Sequence, residues 1–295
     1  MIARDLARNP IVEKEYRTRM RTWRSSCALM ACVLIVGGIG WSIFALISGI
    51  AARYTQSNAV NYGLVLFIVL LFFQEAVLTF ITPALTAGAI TGERERQTLD
   101  LLLCAPISAV GLLWGKLVGS MAYVVLVLLV LGPMFSLTLL FGGVSLHQIV
   151  IGLAVTVVSA LTIASVGLFF STVFRRTIPA MVLAYIATFV LVVGVLIGGW
   201  VYQWAQTVIT YGSNGSSSYT SAVLIADVSP AVAFIALSTE DSGISSFQFQ
   251  TVPDGPFKGW TYWEFNLAVN GLLCLCAFGG STLLLAPGRG APWRS

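Results

Sequence analysis

The sequence predicts an all-α polytopic membrane protein with six membrane-spanning helices. An amphipathic helix precedes them, and a short charged helix lies between the second and third. Three observations carry this. First, of 295 residues 57% are hydrophobic and only 9% are charged, against about 25% charged in an ordinary soluble domain; the mean hydropathy is +0.89. So few charges cannot cover a water-facing surface, and lipid must be the outer solvent. Second, the apolar residues gather into six long runs, over 27–50, 62–90, 117–141, 149–174, 178–201 and 263–285, each long enough for the roughly 20 residues that cross a bilayer. Third, the basic residues segregate when the chain is threaded through those runs. In hydrocarbon every backbone N–H and C=O must be paired within its own segment, so the runs are helices.

Residues 1–26 form the first element. Asn9 can cap a helix whose first turn holds Pro10. Val12, Tyr16, Met20 and Trp23 then fall on one helical face, while Glu13–Arg17 and Glu15–Arg19 pair at i, i+4 on the wet side. The basic excess suits an anionic leaflet. This stretch is too long and too mixed in charge for a cleaved signal sequence. With the N-terminus in the cytoplasm, the inner side holds Arg4, Arg8, Lys14, Arg17, Arg19, Arg21, Arg24, Arg94, Arg96, Lys116, Arg175, Arg176, Arg289 and Arg294; the outer side holds only Arg53 and Lys258. The positive-inside rule therefore places both termini in the cytoplasm. Tyr54, Tyr62, Trp200, Tyr202, Trp204, Trp260, Tyr262 and Trp263 cluster at the outer edges, and Trp23 and Trp114 at inner ones, the depths that amphipathic rings favour.

The link between the second and third spans is the densest charge run after the N-terminus. Glu93 and Glu95 favour a helix start through the dipole. Leu99, Leu102 and Leu103 share a face, and Pro106 stops the helix. A short helix over 93–105 with a charged front and an apolar back can pack on the bundle and present Glu93, Arg94, Glu95, Arg96, Thr98 and Asp100 to a soluble partner. Ser108 can cap the next helix, which runs through Trp114, Gly115 and Lys116 into the third span.

Residues 202–261 form an outer segment. Within it, 211–221 is rich in Gly and Ser and reads as a loop. Ser229-Pro230 opens a short apolar helix through Leu237, too short to span and so interfacial or re-entrant. The five cysteines lie in spans or on the inner side, so no disulfide framework is expected outside.

The sequence carries no catalytic constellation. Its one histidine, His147, sits in a short outer loop, which excludes a multi-histidine metal site and a histidine-based triad. Gly111-Leu-Leu-Trp-Gly115-Lys116-Leu117 fails the phosphate-loop pattern in spacing and lacks the hydroxyl after lysine. If ATP drives this chain, another chain must bind it.

Glu75 is the informative residue inside the membrane. A charge at mid-span costs roughly 2.5–3.5 kcal/mol on insertion scales. Glu75, Thr79, Thr82 and Thr86 recur at spacings of 4, 3 and 4, one helical face that must point into the bundle or a water-filled route. Two readings stand side by side: a polar stripe along a translocation pathway, and a protonated carboxyl bonded to a neighbouring helix with threonines bonding back to their own backbone. Pro83 interrupts the ladder at Thr79 and should kink this helix. Gly194-x3-Gly198 admits a close helix contact, within the chain or between copies.

The segment Gly92-Glu-Arg-Glu-Arg-Gln-Thr-Leu-Asp-Leu-Leu-Leu103, followed by Ala105-Pro106-Ile107-Ser108 and Gly115-Lys116-Leu117, resembles the type-2 class of ABC exporter permeases. Their usual run is close to E-R-E-x-G-T-L-E-x-L-L, then a Pro-hydrophobic-Ser turn, then G-K. The opening Asn9-Pro10 with its basic amphipathic helix resembles the same class, as does the layout of six spans with a large segment between the fifth and sixth. Gln97 departs from the usual glycine and suggests a different helix start; Asp100 stands for the usual glutamate.

The resemblance implies a permease dimer, with a second copy or a paralogue, that carries two separate ABC ATPase subunits. The 93–105 helix is then a coupling helix seated on the ATPase, and residues 1–26 an elbow helix. The second and fifth spans border the route. ATP and Mg belong to the partner ATPase, and this chain binds no cofactor. Localisation is a bacterial plasma membrane, with lipid around the spans and no nucleic-acid partner. Two other readings remain at this point. A proton-coupled secondary transporter using Glu75 predicts uptake driven by a pH gradient without an ATPase. A non-transporting membrane scaffold predicts no ATP-dependent flux of any ligand.

Overall fold

The computed structural model describes residues 23–53, 62–98, 109–201, 228–239 and 259–285. Most of the expected elbow helix, Asp100 and most of the 202–261 segment lie outside the described residues.

The described chain is helical throughout its elements: α1 (Trp23–Arg53), α2 (Tyr62–Thr86), α3 (Thr91–Glu95), α4 (Ala109–Phe141), α5 (Leu146–Val173), α6 (Thr177–Phe189), a π-turn (Val190–Gly194), α7 (Pro230–Thr239) and α8 (Tyr262–Leu285). The π-turn interrupts one longer helix, Thr177–Val201. Five helices are long and apolar enough to cross a bilayer: Gly63–Glu95, Val110–Phe141, Leu146–Val173, Thr177–Val201 and Tyr262–Leu285. They lie on five of the six apolar runs. The remaining run, 27–50, lies within the 31-residue helix α1.

The bundle is organised around α5. It packs against α2, α4, α6, α7 and α8, and its small residues make that possible. Gly152, Ala160, Ala164 and Gly167 let neighbouring backbones approach. A Cβ at Gly152 would press on Leu71 and Phe67, and one at Gly167 would collide with Thr86. The core is apolar and shared between α2, α4 and α5, with Phe67, Leu71, Leu78, Val124, Leu131 and Leu168 all buried. Ser145 starts α5 through a capping box: its hydroxyl accepts from the Gln148 backbone N–H, and the Gln148 side chain accepts from the Ser145 N–H.

The short apolar helix expected after Ser229 is α7. It lies inside the bundle, with Phe234 and Leu237 fully buried, against α2, α5 and α8. Gly194 meets only Val190 of its own helix, and nothing lies within reach of Gly198. Neither glycine therefore backs onto another described element of this chain.

Candidate functional site

The polar stripe of α2 is closed against α5. Glu75, Thr79, Thr82 and Thr86 are all buried. Ser159 of α5 donates to Glu75 Oε1 at 2.8 Å. The hydroxyls of Thr79 and Thr86 donate to the carbonyls of Glu75 and Thr82, one turn back. Glu75 Oε2 and Thr82 Oγ1 have no hydrogen-bond partner among the described residues. Neither has the side chain of Gln74, which is fully buried beside Glu75. Gln74 falls outside the 4, 3, 4 spacing that picked out Glu75 and the threonines; an amide in the middle of an apolar run was the available signal. It also passed over Asn266 and Asn270 of α8, whose amides both donate to the Val228 carbonyl.

The charged segment has a different geometry from the one its sequence suggests. It does not begin a new helix at 93. Instead α2 continues through a turn at 87–90 into α3. Ser171 of α5 causes the interruption. Its hydroxyl oxygen accepts from the backbone N–H of Ile90 and of Thr91, at 2.9 and 3.1 Å, displacing the carbonyls one turn earlier. The chain adjusts around it: Ala89 N–H turns to Thr86 O, and the Thr91 hydroxyl donates to Ala87 O. A side chain inserted into the ladder is a recognised cause of a helix break.

The helix then ends at Glu95, which corrects the expected continuous helix over 93–105. Gln97 has φ 57°, the left-handed conformation that closes helices and favours glycine. The Thr98 N–H reaches back to Glu93 O at 2.9 Å, the long-range bond of a Schellman stop. Gln97 thus marks a helix end, where the charge pattern read as a start. The usual glycine at this position in the resembling class has a direct physical reason here.

The three charges of α3 are spent inside the chain. Glu93 Oε1 accepts from Lys116 Nζ of α4 at 2.6 Å, with Lys116 buried and Glu93 largely so. Arg94 donates to the carbonyls of Phe174 and Thr172, at 2.8 and 3.4 Å. These carbonyls close the C-terminus of α5, where a cation complements both the free acceptors and the dipole. Glu95 Oε1 accepts from the Thr177 N–H at 2.7 Å. That N–H opens α6, whose N-cap residue Arg176 supplies no side-chain cap, so Glu95 caps α6 from another helix. Gly63–Glu95 is 33 residues long; at 1.5 Å per residue that is about 50 Å of helix, well beyond a hydrocarbon core of about 30 Å, so α3 emerges past it. The Thr177 backbone N–H, aided by the nearby Arg176 charge, holds the Glu95 carboxyl below the usual glutamate range.

One five-residue turn therefore grips α4, the end of α5 and the start of α6. Arg96, Gln97 and Thr98, immediately beyond it, are exposed. Of the residues expected to meet a soluble partner, Glu93, Arg94 and Glu95 are engaged with their own bundle, and Arg96 and Thr98 face out. Such an arrangement ties one exposed turn to three helices at once.

A search of curated proteins finds no match to the chain. The family described as ABC-2 family transporter protein matches residues 10–269. That match takes in every element above except the end of α8, and the chain accordingly belongs to the ABC-2 transporter family as a multi-pass membrane component.

Proposed function

We propose that this chain is the permease subunit of an ATP-driven exporter. It has six spans including α1, lies in a bacterial plasma membrane with both termini in the cytoplasm, and works with a second permease copy or paralogue. Two separate ABC ATPase subunits bind ATP and Mg. The observation that carries the reading is the grip of α3 on three helices, next to an exposed segment that begins at Arg96, in a chain of the ABC-2 family. Arg96 and Thr98, with Asp100 beyond them, meet the ATPase. Glu93, Arg94 and Glu95 receive the push and hand it to Lys116, to the end of α5 and to the start of α6. When α2 and α5 part under that push, the stripe of Glu75, Thr79, Thr82 and Thr86 becomes a wall of the route.

The test is co-purification with a partner ATPase, scored together with flux in vesicles. Arg96→Glu lowers association. Glu93→Gln leaves association intact and lowers the flux obtained per ATP hydrolysed. Unaltered association and unaltered stimulated hydrolysis in Arg96→Glu overturn the assignment of that exposed segment. Uptake driven by a pH gradient, with no ATPase present, overturns the exporter itself.

A further inference from the structure

At the opposite end of the bundle, α6 carries the π-turn Val190–Gly194. There the Val195 N–H bonds to Val190 O, five residues back, instead of to Leu191 O. π-turns are rare and concentrate at functional sites, because the added residue widens the helix and loosens its carbonyls. Val192 lies inside this turn. The Ser229 hydroxyl, fully buried, donates to its carbonyl at 2.7 Å.

Ser229 stands at the head of α7, and α7 is held at both ends. The Val228 carbonyl just before it accepts from Asn266 and Asn270 of α8, at 3.3 and 3.1 Å. Pro230 has no N–H to satisfy. The Leu237 carbonyl near the other end accepts from Gln148 Nε2 of α5 at 3.0 Å. A ten-residue helix cannot cross a bilayer, and its free end groups inside a bundle must find partners. Gln148 satisfies one of them, and the Val232 N–H turns to Ser229 O. Ser229 is the exception in kind. Its hydroxyl does not close an end of α7; it reaches out to a backbone defect in α6.

We propose that the Ser229–Val192 contact is a register latch. Residues 195–201 have two positions, one with the π-turn and one with an unbroken α-helix. Losing the extra residue from the turn rotates everything after it by about 100° and shifts it by about 1.5 Å. Ile197, Trp200 and Val201 are exposed and are carried round by that rotation. Ser229 holds the π register. A single hydrogen bond holds an equilibrium by only about tenfold, which suits a latch that must release. The same helix begins at Thr177, where Glu95 caps it. A pull applied there travels along α6 to the turn. Ser229 is thus a positioning residue for the far end of α6, acting through the Val192 backbone. The link to ATP rests on the function proposed above; the latch does not.

The experiment is a nitroxide scan of 195–201 in a cysteine-free background, on the permease alone in lipid vesicles. The readout is the phase of lipid accessibility along the helix. Ser229→Ala shifts that phase by about 100° and speeds amide exchange over 230–239 by about tenfold. Ser229→Thr keeps the hydroxyl and retains the parent phase. An unchanged phase in Ser229→Ala, or the same shift in Ser229→Thr as in Ser229→Ala, overturns the latch. A second arm adds the ATPase and ATP to the parent protein. A shift there supports the latch as a moving part of the ATP-driven cycle. Its absence, with the Ser229→Ala shift present, counts against the ATP-driven reading alone.

Discussion

The pairing of Glu93 with Lys116 makes a prediction that separates a transmitting residue from a docking one. At 2.6 Å and an effective dielectric of about 20, the attraction is roughly 6 kcal/mol before desolvation. Desolvation returns most of it. Removing one partner of a buried pair costs about 3–5 kcal/mol, and Glu93 is 21% exposed against 8% for Lys116, so about 2–3 kcal/mol is expected for each single change. Glu93→Lys and Lys116→Glu each place like charges in contact and should each lower stability by at least that much. The double swap restores an ion pair across the same gap. Unfolding by a denaturing detergent, followed by tryptophan fluorescence, should give a coupling energy of about 2 kcal/mol in the double-mutant cycle. Stimulated ATPase activity should fall in both single variants and return in the double. If the two losses simply add, or if Lys116→Glu fails to rescue Glu93→Lys in either measurement, the grip of α3 on α4 is not what this residue does.

Four other changes have definite outcomes. Gln97→Gly should stabilise the protein by about 1 kcal/mol, because Gln97 holds a left-handed conformation that glycine adopts freely; an unchanged midpoint in the same denaturation argues against the Schellman stop. Gly167→Val should cost about 1–3 kcal/mol by overpacking against Thr86, and Thr86→Ala should recover part of it. Glu95 has a depressed carboxyl titration in the folded state, so its contribution is present above the ordinary glutamate value and is lost as the pH falls through the lower folded one. Amide exchange at Thr177 should quicken over that acidic window in the parent and be insensitive to it in Glu95→Gln. Glu75→Gln still accepts from Ser159, so stability should hold while export falls and its pH dependence changes; export and pH profile both at parent level would remove Glu75 from the route.

Most of the architecture is readable along the chain because a bilayer makes it so. Apolar length alone sets a helix where no water can satisfy the backbone, and the five long apolar helices lie on runs visible without any structure. The Ser145 capping box is equally local, a serine followed three residues later by glutamine, yet a short loop between two apolar runs draws no attention to it. Contacts across the bundle leave no such trace. Arg94 meets carbonyls 78 and 80 residues away, and Glu95 an N–H 82 residues away. Nothing in the local pattern distinguishes them from Arg96, which points outward. The start assigned at Glu93 failed for a related reason. Acidic residues do mark helix beginnings, but here Glu95 serves the beginning of another helix. Gln97 hid the true stop, since glutamine is not the residue from which a left-handed closure is inferred.

The insertion of Ser171 has a consequence for biogenesis. Before α5 arrives, the Ser171 hydroxyl is not there to take the N–H groups of Ile90 and Thr91 from the carbonyls one turn earlier. The interruption before the charged turn is thus supplied by a helix whose serine lies 80 residues further along the chain. A nascent chain halted after its second crossing lacks that contact, and only a bundle assembled as far as Ser171 can set the turn at 87–90.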